Sequence, residues 1–158
     1  MILLSDPLLH VSNDRLRKSK ISCMEIFRCN CSRDRFTLAS DTTASSEYNY
    51  IIVCISSGGM LGWSECLLPD WSQASFDIVR WASVFLKLKG LSIPESIGYV
   101  RSHHDTWGQE KSAIAEAALI ALEGSLEHPL EWQRASNHEE TRSFLFHHAQ
   151  SYYSFSLK

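Results

Sequence analysis

Tyr50-Ile-Ile-Val-Cys-Ile-Ser-Ser-Gly-Gly-Met-Leu-Gly-Trp-Ser-Glu-Cys66 is the stretch on which the fold turns. An apolar, β-branched run leads into Gly58-Gly59, and a second short apolar run follows and ends in Gly62-Trp63-Ser64-Glu65-Cys66. Two such runs joined by a two-glycine turn predict a β-hairpin, because glycine alone enters positive φ without steric cost.

Working outward from the hairpin, Ile21 to Cys31 reads as a preceding strand, although its alternation is imperfect. Residues 32–47 are rich in Ser, Thr and Asp and read as a long loop, a feature that in compact domains is usually functional or disordered. Strands near 48–56 and 60–66 complete a three-stranded antiparallel meander. Residues 1–20 show no sustained period and read as an irregular extension.

Helices are expected downstream. Asp70 or Ser72 can cap one in which Ile78, Trp81, Ala82, Phe85 and Leu88 share a face, with Gly90 as its stop. Pro94 suits the first turn of a second helix, through about His103. A third, from about Gln109 to Leu122, places Ile114, Ala117, Ala118, Ala121 and Leu122 on one stripe and is expected to end at Gly124. Its alanines suggest close approach to a neighbouring element. Asp105 and Glu110 are expected to cap it. The fold class is therefore α+β, a three-stranded meander followed by about three helices, over residues 21–130. After Pro129 the pattern weakens, and 131–158 reads equally as a strand, as a helix, or as out-of-frame text.

Composition bounds the function. The chain has 158 residues, 44% of them hydrophobic and 21% charged, with a net charge of −3. That balance gives no electrostatic reason to expect nucleic acid or an anionic membrane as partner. No apolar run approaches the roughly 20 residues of a membrane span. Within Met1–Lys20 the apolar residues precede the basic ones, the reverse of a secretory signal. The five cysteines are an odd number, most of them in expected strands, which fits a reduced, cytoplasmic protein better than a disulfide scaffold.

The Gly62-Trp63-Ser64-Glu65-Cys66 segment resembles the Gly-Trp-Gly-Glu signature that closes the N-terminal sheet in the enolase superfamily, nearest the mandelate racemase/muconate-lactonizing branch. Lys111-Ser-Ala-Ile-Ala-Glu-Ala-Ala-Leu-Ile-Ala-Leu-Glu-Gly124 is similar to that family's Ala-Ile-Asp/Glu-x-Ala-Leu-Trp-Asp-Leu-x-Gly helix. Glu116, Ala118, Leu119, Leu122 and Gly124 match, while Ile120 and Ala121 replace the Trp-Asp pair. Leu126-Glu-His-Pro-Leu130 looks like the family's link into its barrel. Glu at 116 leans toward the o-succinylbenzoate synthase/N-acylamino acid racemase branch. The resemblance covers about residues 20–133.

What the resemblance implies is a capping domain. In such enzymes a barrel lysine removes the proton alpha to a carboxylate, and Mg²⁺ on barrel carboxylates stabilises the enolate. The capping domain's two loops close over the substrate and exclude water. By position those loops are Arg33–Glu47 and Leu67–Gln73, with Arg33, Phe36, Thr42, Pro69, Asp70 and Trp71 as substrate-loop candidates; Gly62, Trp63, Glu65, Glu116 and Gly124 are structural motif residues. No residue of the chain is assigned as catalytic, and no cofactor or metal ligand is expected within it. Lys87-Leu88-Lys89 has the spacing of a barrel lysine pair but ends an amphipathic helix, so its lysines read as helix-dipole partners. A (β/α)₈ barrel needs roughly 200 residues or more, and the text after Leu130 is too short to encode one. The expectation is a truncated lid of a racemase/epimerase, cycloisomerase or dehydratase, inactive alone. Its partner would be a barrel in trans or a second copy, and a small carboxylate substrate would bind only in a complete enzyme. A free-standing interaction module and the product of a disrupted gene are the alternatives.

Other chemistry was weighed against plainer readings. Glu65 and Trp63 could face substrate, but a backbone-bonded strand exit and a core indole explain them as well. Cys29-Asn-Cys31 with His103-His104 or His147-His148 could be drawn as a zinc site, yet no second ligand pair is present at tight spacing. Cys66 with His104 could be drawn as a nucleophile and base, but nothing positions an oxyanion hole.

Overall fold

The computed structural model describes residues 14–32, 47–68, 76–135 and 138–157. Gly58 and Gly59 take positive φ (57° and 80°), closing the two-residue turn between β2 (Glu47–Ser57) and β3 (Met60–Leu67). β1 (Cys23–Ser32) pairs antiparallel with the other side of β2, so the expected meander is present. A fourth strand, β4 (Ala149–Ser156), pairs antiparallel with β1 and gives the sheet order β3-β2-β1-β4. It comes from the stretch whose sequence pattern was weakest. Its Ser, Tyr and Phe residues alternate strictly between half-buried and exposed once they lie beside β1.

Each strand sends alternate residues to opposite faces. The inner face carries Met24, Ile26, Ile51, Val53 and Ile55, all fully buried, with Tyr153 and Phe155 of β4 beside them. Helices cover this face. Residues 14–18 form α1, and its Leu16 is 3% exposed in this core, so this part of the expected extension contributes to the packing.

The next helix starts later than its expected caps, Asp70 and Ser72, which lie outside the described residues. The Asp77 carboxylate accepts the N–H of Val79 (2.9 Å) and Arg80 (3.1 Å) and opens α2 (Ile78–Ala82). At Ser83, whose hydroxyl donates back to the Arg80 carbonyl (2.8 Å), the α-helical ladder gives way to a 3₁₀ stretch, Ser83–Leu88. Ile78, Ala82, Phe85 and Leu88 are buried as expected, and Trp81 is half-buried. Gly90 at φ 79° ends the segment.

α3 (Ile93–Ser102) opens with a capping box in which Ser92 and Glu95 bond reciprocally, and Pro94 sits in its first turn. A short α4 (His104–Trp107) leads to Gly108, whose φ of 85° starts α5 (Gln109–Glu127) without a side-chain cap. Neither Asp105 nor Glu110 stands at the N-cap, but Glu110 lies in the first turn of α5, where negative charge is favourable as expected. α5 also runs past its expected end, with Gly124 inside it and His128 at its C-cap. Its buried arc holds Ser112, Ile114, Ala115, Ala118, Leu119, Leu122, Ser125 and Leu126, whereas Ala117 and Ala121 face outward. At 100° per residue those two fall outside the arc centred between Ala118 and Ala115.

α6 (Pro129–Ala135) and α7 (His138–His148) carry the chain to the other side of the sheet. There Leu145 of α7 joins Phe27 and Cys29 in a second, smaller core, with Ile52, Trp63 and Ala149 at its margin. Among the described residues both sheet faces are thus covered, the inner one deeply and the outer one by α7.

Candidate functional site

β3 and α5 meet more closely than any ordinary side chain would permit. A Cβ placed on Gly62 would stand 2.2 Å from the Ala118 carbonyl oxygen and 2.5 Å from the Leu122 nitrogen. Gly62 is therefore demanded by space. Two side-chain hydrogen bonds tie the same seam, Ser64 Oγ donating to the Ile114 carbonyl (2.6 Å) and Ser125 Oγ to the Leu61 carbonyl (3.0 Å). The two sequence stretches that carried the family resemblance are thus in direct contact.

The other motif residues divide. The Glu116 carboxylate accepts from Arg101 Nε at 2.6 Å and ties α5 to α3. Gly124 has nothing within 4 Å of its would-be Cβ, so space does not require glycine there. Glu65 is exposed beyond Trp63 on the outer face, and its side chain makes no hydrogen bond among the described residues. Trp63 is half-buried, stacks on Phe27 at 6.4 Å, and donates its indole N–H to His138 Nδ1 at 3.2 Å.

The substrate-loop candidates Arg33, Phe36, Thr42, Pro69, Asp70 and Trp71 lie outside the described residues, but the points where their loops leave the sheet do not. Ser32 of β1 pairs with Glu47 of β2, and Tyr50 of β2 pairs with Leu67 of β3. Both connections therefore leave one end of the sheet, the first from β1 and the second from β3, with β2, to which the first returns, between them. At that end Asn30 and Asn49 face each other across β1 and β2 on the inner face, Asn49 being 3% exposed, and the Leu68 N–H bonds to the Asn49 carbonyl (2.8 Å). A surface cavity of about 250 Å³ lies elsewhere, at the start of α5, lined by Trp107, Gly108, Gln109, Glu110 and Lys111.

The outer face holds a polar cluster that sequence reading missed. The buried Glu25 of β1 accepts from Arg142 of α7, through both Nε (3.2 Å) and Nη2, and from the Tyr152 hydroxyl of β4 (2.9 Å). The Glu25 hydrogen bond raises the Arg142 pKa, while burial raises that of Tyr152. Glu25 lies more than a hundred positions from the other two in the chain, and only an acid at an otherwise apolar strand position hints at the cluster. The cluster pins α7 and β4 to β1, its donors converging on one carboxylate oxygen, Oε1 of Glu25.

The thiols are not activated. Burial pushes Cys54 up to about 12 and Cys66 up to about 11, and Cys23 also rises. A nucleophilic cysteine needs the opposite shift, so the burial of Cys66 gives no support to its pairing with His104. His104 instead lies 3.5 Å from Asp105. Among the described residues no group of three or more His, Cys, Asp or Glu is placed to hold a metal ion. His103, His147 and His148 each place Nδ1 by the carbonyl four residues back, near helix ends. No described helix is long and apolar enough to cross a membrane.

Compared with known proteins, the chain matches no family model, and no curated protein or solved structure matches it significantly.

Proposed function

We propose that the chain is a capping domain of the enolase-superfamily type, which closes two loops over a small carboxylate held in a (β/α)₈ barrel. The observation that carries this reading is that both candidate loops leave the same end of the three-stranded meander, one joining β1 to β2 and the other leaving β3. A lid needs that arrangement, since loops on opposite ends could not close on one substrate. The Gly62–Ala118 contact adds to it, because the two resembling segments form one rigid seam from which the loops project.

In the complete enzyme the reaction would be that of a racemase/epimerase, cycloisomerase or dehydratase. The described residues do not fit a Mg²⁺ site, since no cluster of suitable donors forms; metal and proton-abstracting lysine would belong to the barrel. The domain's own part is to exclude water and shape specificity, and it is inactive alone. Its cognate barrel would be joined to it or supplied in trans.

Sequencing through codon 158 and roughly 700 bases beyond, the span of a barrel, identifies the cognate partner. The expected result is an open frame with spaced acidic ligands and a Lys-x-Lys strand. Co-expression should then raise Mg²⁺-dependent exchange of the proton alpha to a carboxylate above that of the barrel alone. Unrelated sequence would leave only a barrel supplied in trans, and no rise with both parts folded would sink the proposal.

A second reading, a self-associating interaction module in the cytoplasm, is favoured by one observation. Ile120 and Leu130 are 47% and 68% exposed, an apolar display at the outer side of α5 and the start of α6. A strictly monomeric species in sedimentation at high concentration would eliminate it.

A further inference from the structure

The cover over the outer sheet face is held at its N-terminal end by one titratable side chain. His138, the first residue of α7, is gripped from two elements. Trp63 of β3 donates its indole N–H to Nδ1 at 3.2 Å, and Trp132 of α6 stacks on the imidazole at 4.0 Å with 20° between planes. Indole is a donor only. Nδ1 must therefore present its lone pair, which places the proton of the neutral ring on Nε2. That nitrogen is buried and has no hydrogen-bond partner among the described residues.

We infer that His138 is a pH-sensitive latch: protonation at Nδ1 removes the acceptor that Trp63 requires and frees the N-terminal end of α7 from the outer sheet face. The imidazolium would set two N–H donors facing each other, Nδ1–H against the indole N–H. Farther along α7, Arg142 remains bonded to Glu25 and Leu145 remains seated beside Phe27, so the helix pivots rather than detaches. The face uncovered by the pivot is that of Trp63 and Ile52 at the margin of the second core.

The surrounding charges do not oppose this. The charged residues of the elements around the imidazole are Glu65 on β3, Glu25 and the inner-face Arg28 on β1, and Glu131 and Arg134 in the sequence of α6, with Glu139, Glu140 and Arg142 on its own helix, whose far end carries His147 and His148. Glu25 and Arg142 satisfy one another. Burial is the one cause that lowers the His138 pKa below its ordinary 6.5. The unlatched state, where the ring is solvated, takes up the proton at higher pH than the latched state. The latch is therefore full above 6.5 and weakens as pH falls below it, by at most about tenfold in the closed-to-open ratio per pH unit, the slope of a single proton.

The test follows the indole N–H signals of the full chain by NMR from pH 8 to 5, together with binding of a fluorescent hydrophobic dye. Expected is a shift of the Trp63 indole signal with its midpoint below 6.5, a parallel rise in dye binding, and an unmoved Trp107 signal in the main core. His138→Gln keeps an acceptor but cannot titrate, and it should abolish both changes. Three results would overturn the inference. They are a Trp63 signal that stays put to pH 5, a His138→Gln protein that titrates like the wild type, or loss of the Trp107 signal together with that of Trp63. The last would mean global unfolding in place of a local release.

Discussion

Replacing Gly62 by alanine should be among the most damaging single-methyl additions this fold can receive. The new Cβ would meet the Ala118 carbonyl oxygen at 2.2 Å, the Leu122 nitrogen at 2.5 Å and the Leu122 Cβ at 2.7 Å. The two closest of these atoms belong to helix backbone and have no rotamer to retreat into. α5 must back away from β3 by about 1 Å to restore ordinary contact. Overpacking of this kind costs about 1–3 kcal/mol, sometimes more. The displacement also stretches the bonds from Ser64 to Ile114 and from Ser125 to Leu61, worth about 1 kcal/mol each. A total near 4 kcal/mol is expected, or a melting temperature lower by roughly 10 °C for a domain of this size.

Gly124→Ala provides the control on the same helix. With nothing within 4 Å of its Cβ, alanine there should stabilise by about 0.5–1 kcal/mol through helix propensity. Urea unfolding followed by far-ultraviolet circular dichroism reads both. If Gly62→Ala lies within about 1 kcal/mol of the wild type, the β3–α5 seam is not as tight as described and the packing argument fails.

Glu25→Gln should weaken the anchoring of α7 and β4 by about 2 kcal/mol, because the hydrogen bonds from Arg142 and Tyr152 lose their charged acceptor; double-mutant cycles with Arg142→Ala check that the loss is shared. Alkaline stability should depend on Cys54, whose thiol titrates near 12 when folded against an ordinary 9.0. The unfolded chain loses that proton first, so stability falls as pH rises from 9 toward 12, by at most about 1.4 kcal/mol per pH unit. Cys54→Ala should flatten that slope in denaturant titrations, and an unchanged slope would assign it elsewhere. The same burial should leave Cys54 and Cys66 unmodified by a thiol reagent at pH 8 until the chain is unfolded.

Legibility tracked the range of the interaction. The hairpin was readable because Gly58-Gly59 is a local device, and β1 to β3 because their partners are sequence neighbours. Three of the five stripe residues of α5 were placed correctly, but alanine fits either face, and only contact with Gly62 decides that Ala118 points in and Ala117 out. The mid-helix Gly124 misled for a related reason, since glycine stops a helix only where the chain must turn left-handed, and here it does not. β4 was opaque because Ser-Tyr-Tyr-Ser-Phe has no clear inside until β1 lies beside it. The outer cluster of Glu25, Arg142 and Tyr152 was invisible for the same reason, its members meeting only through that pairing.

The physical content of the motif bears directly on what the resemblance can carry. Gly62 is required because the helix backbone at Ala118 and Leu122 occupies the place its Cβ would take, and Ala118 is fully buried in the same seam. Any meander that packs a helix tightly on its third strand meets the same demand, so this pair specifies architecture rather than chemistry. Glu65 agrees with that reading, exposed and without a hydrogen bond among the described residues. The functional argument therefore rests on the sheet end where the chain leaves at Ser32 and Leu68 and returns at Glu47. Two consequences separate architecture from function. Substitutions at Gly62 should change stability in the isolated domain, with or without a barrel. Substitutions at Arg33, Phe36 or Trp71 should leave its stability alone and alter the substrate preference of a domain joined to its barrel. A chain in which both sets affect stability alone would be a packing module, and the capping proposal would fall.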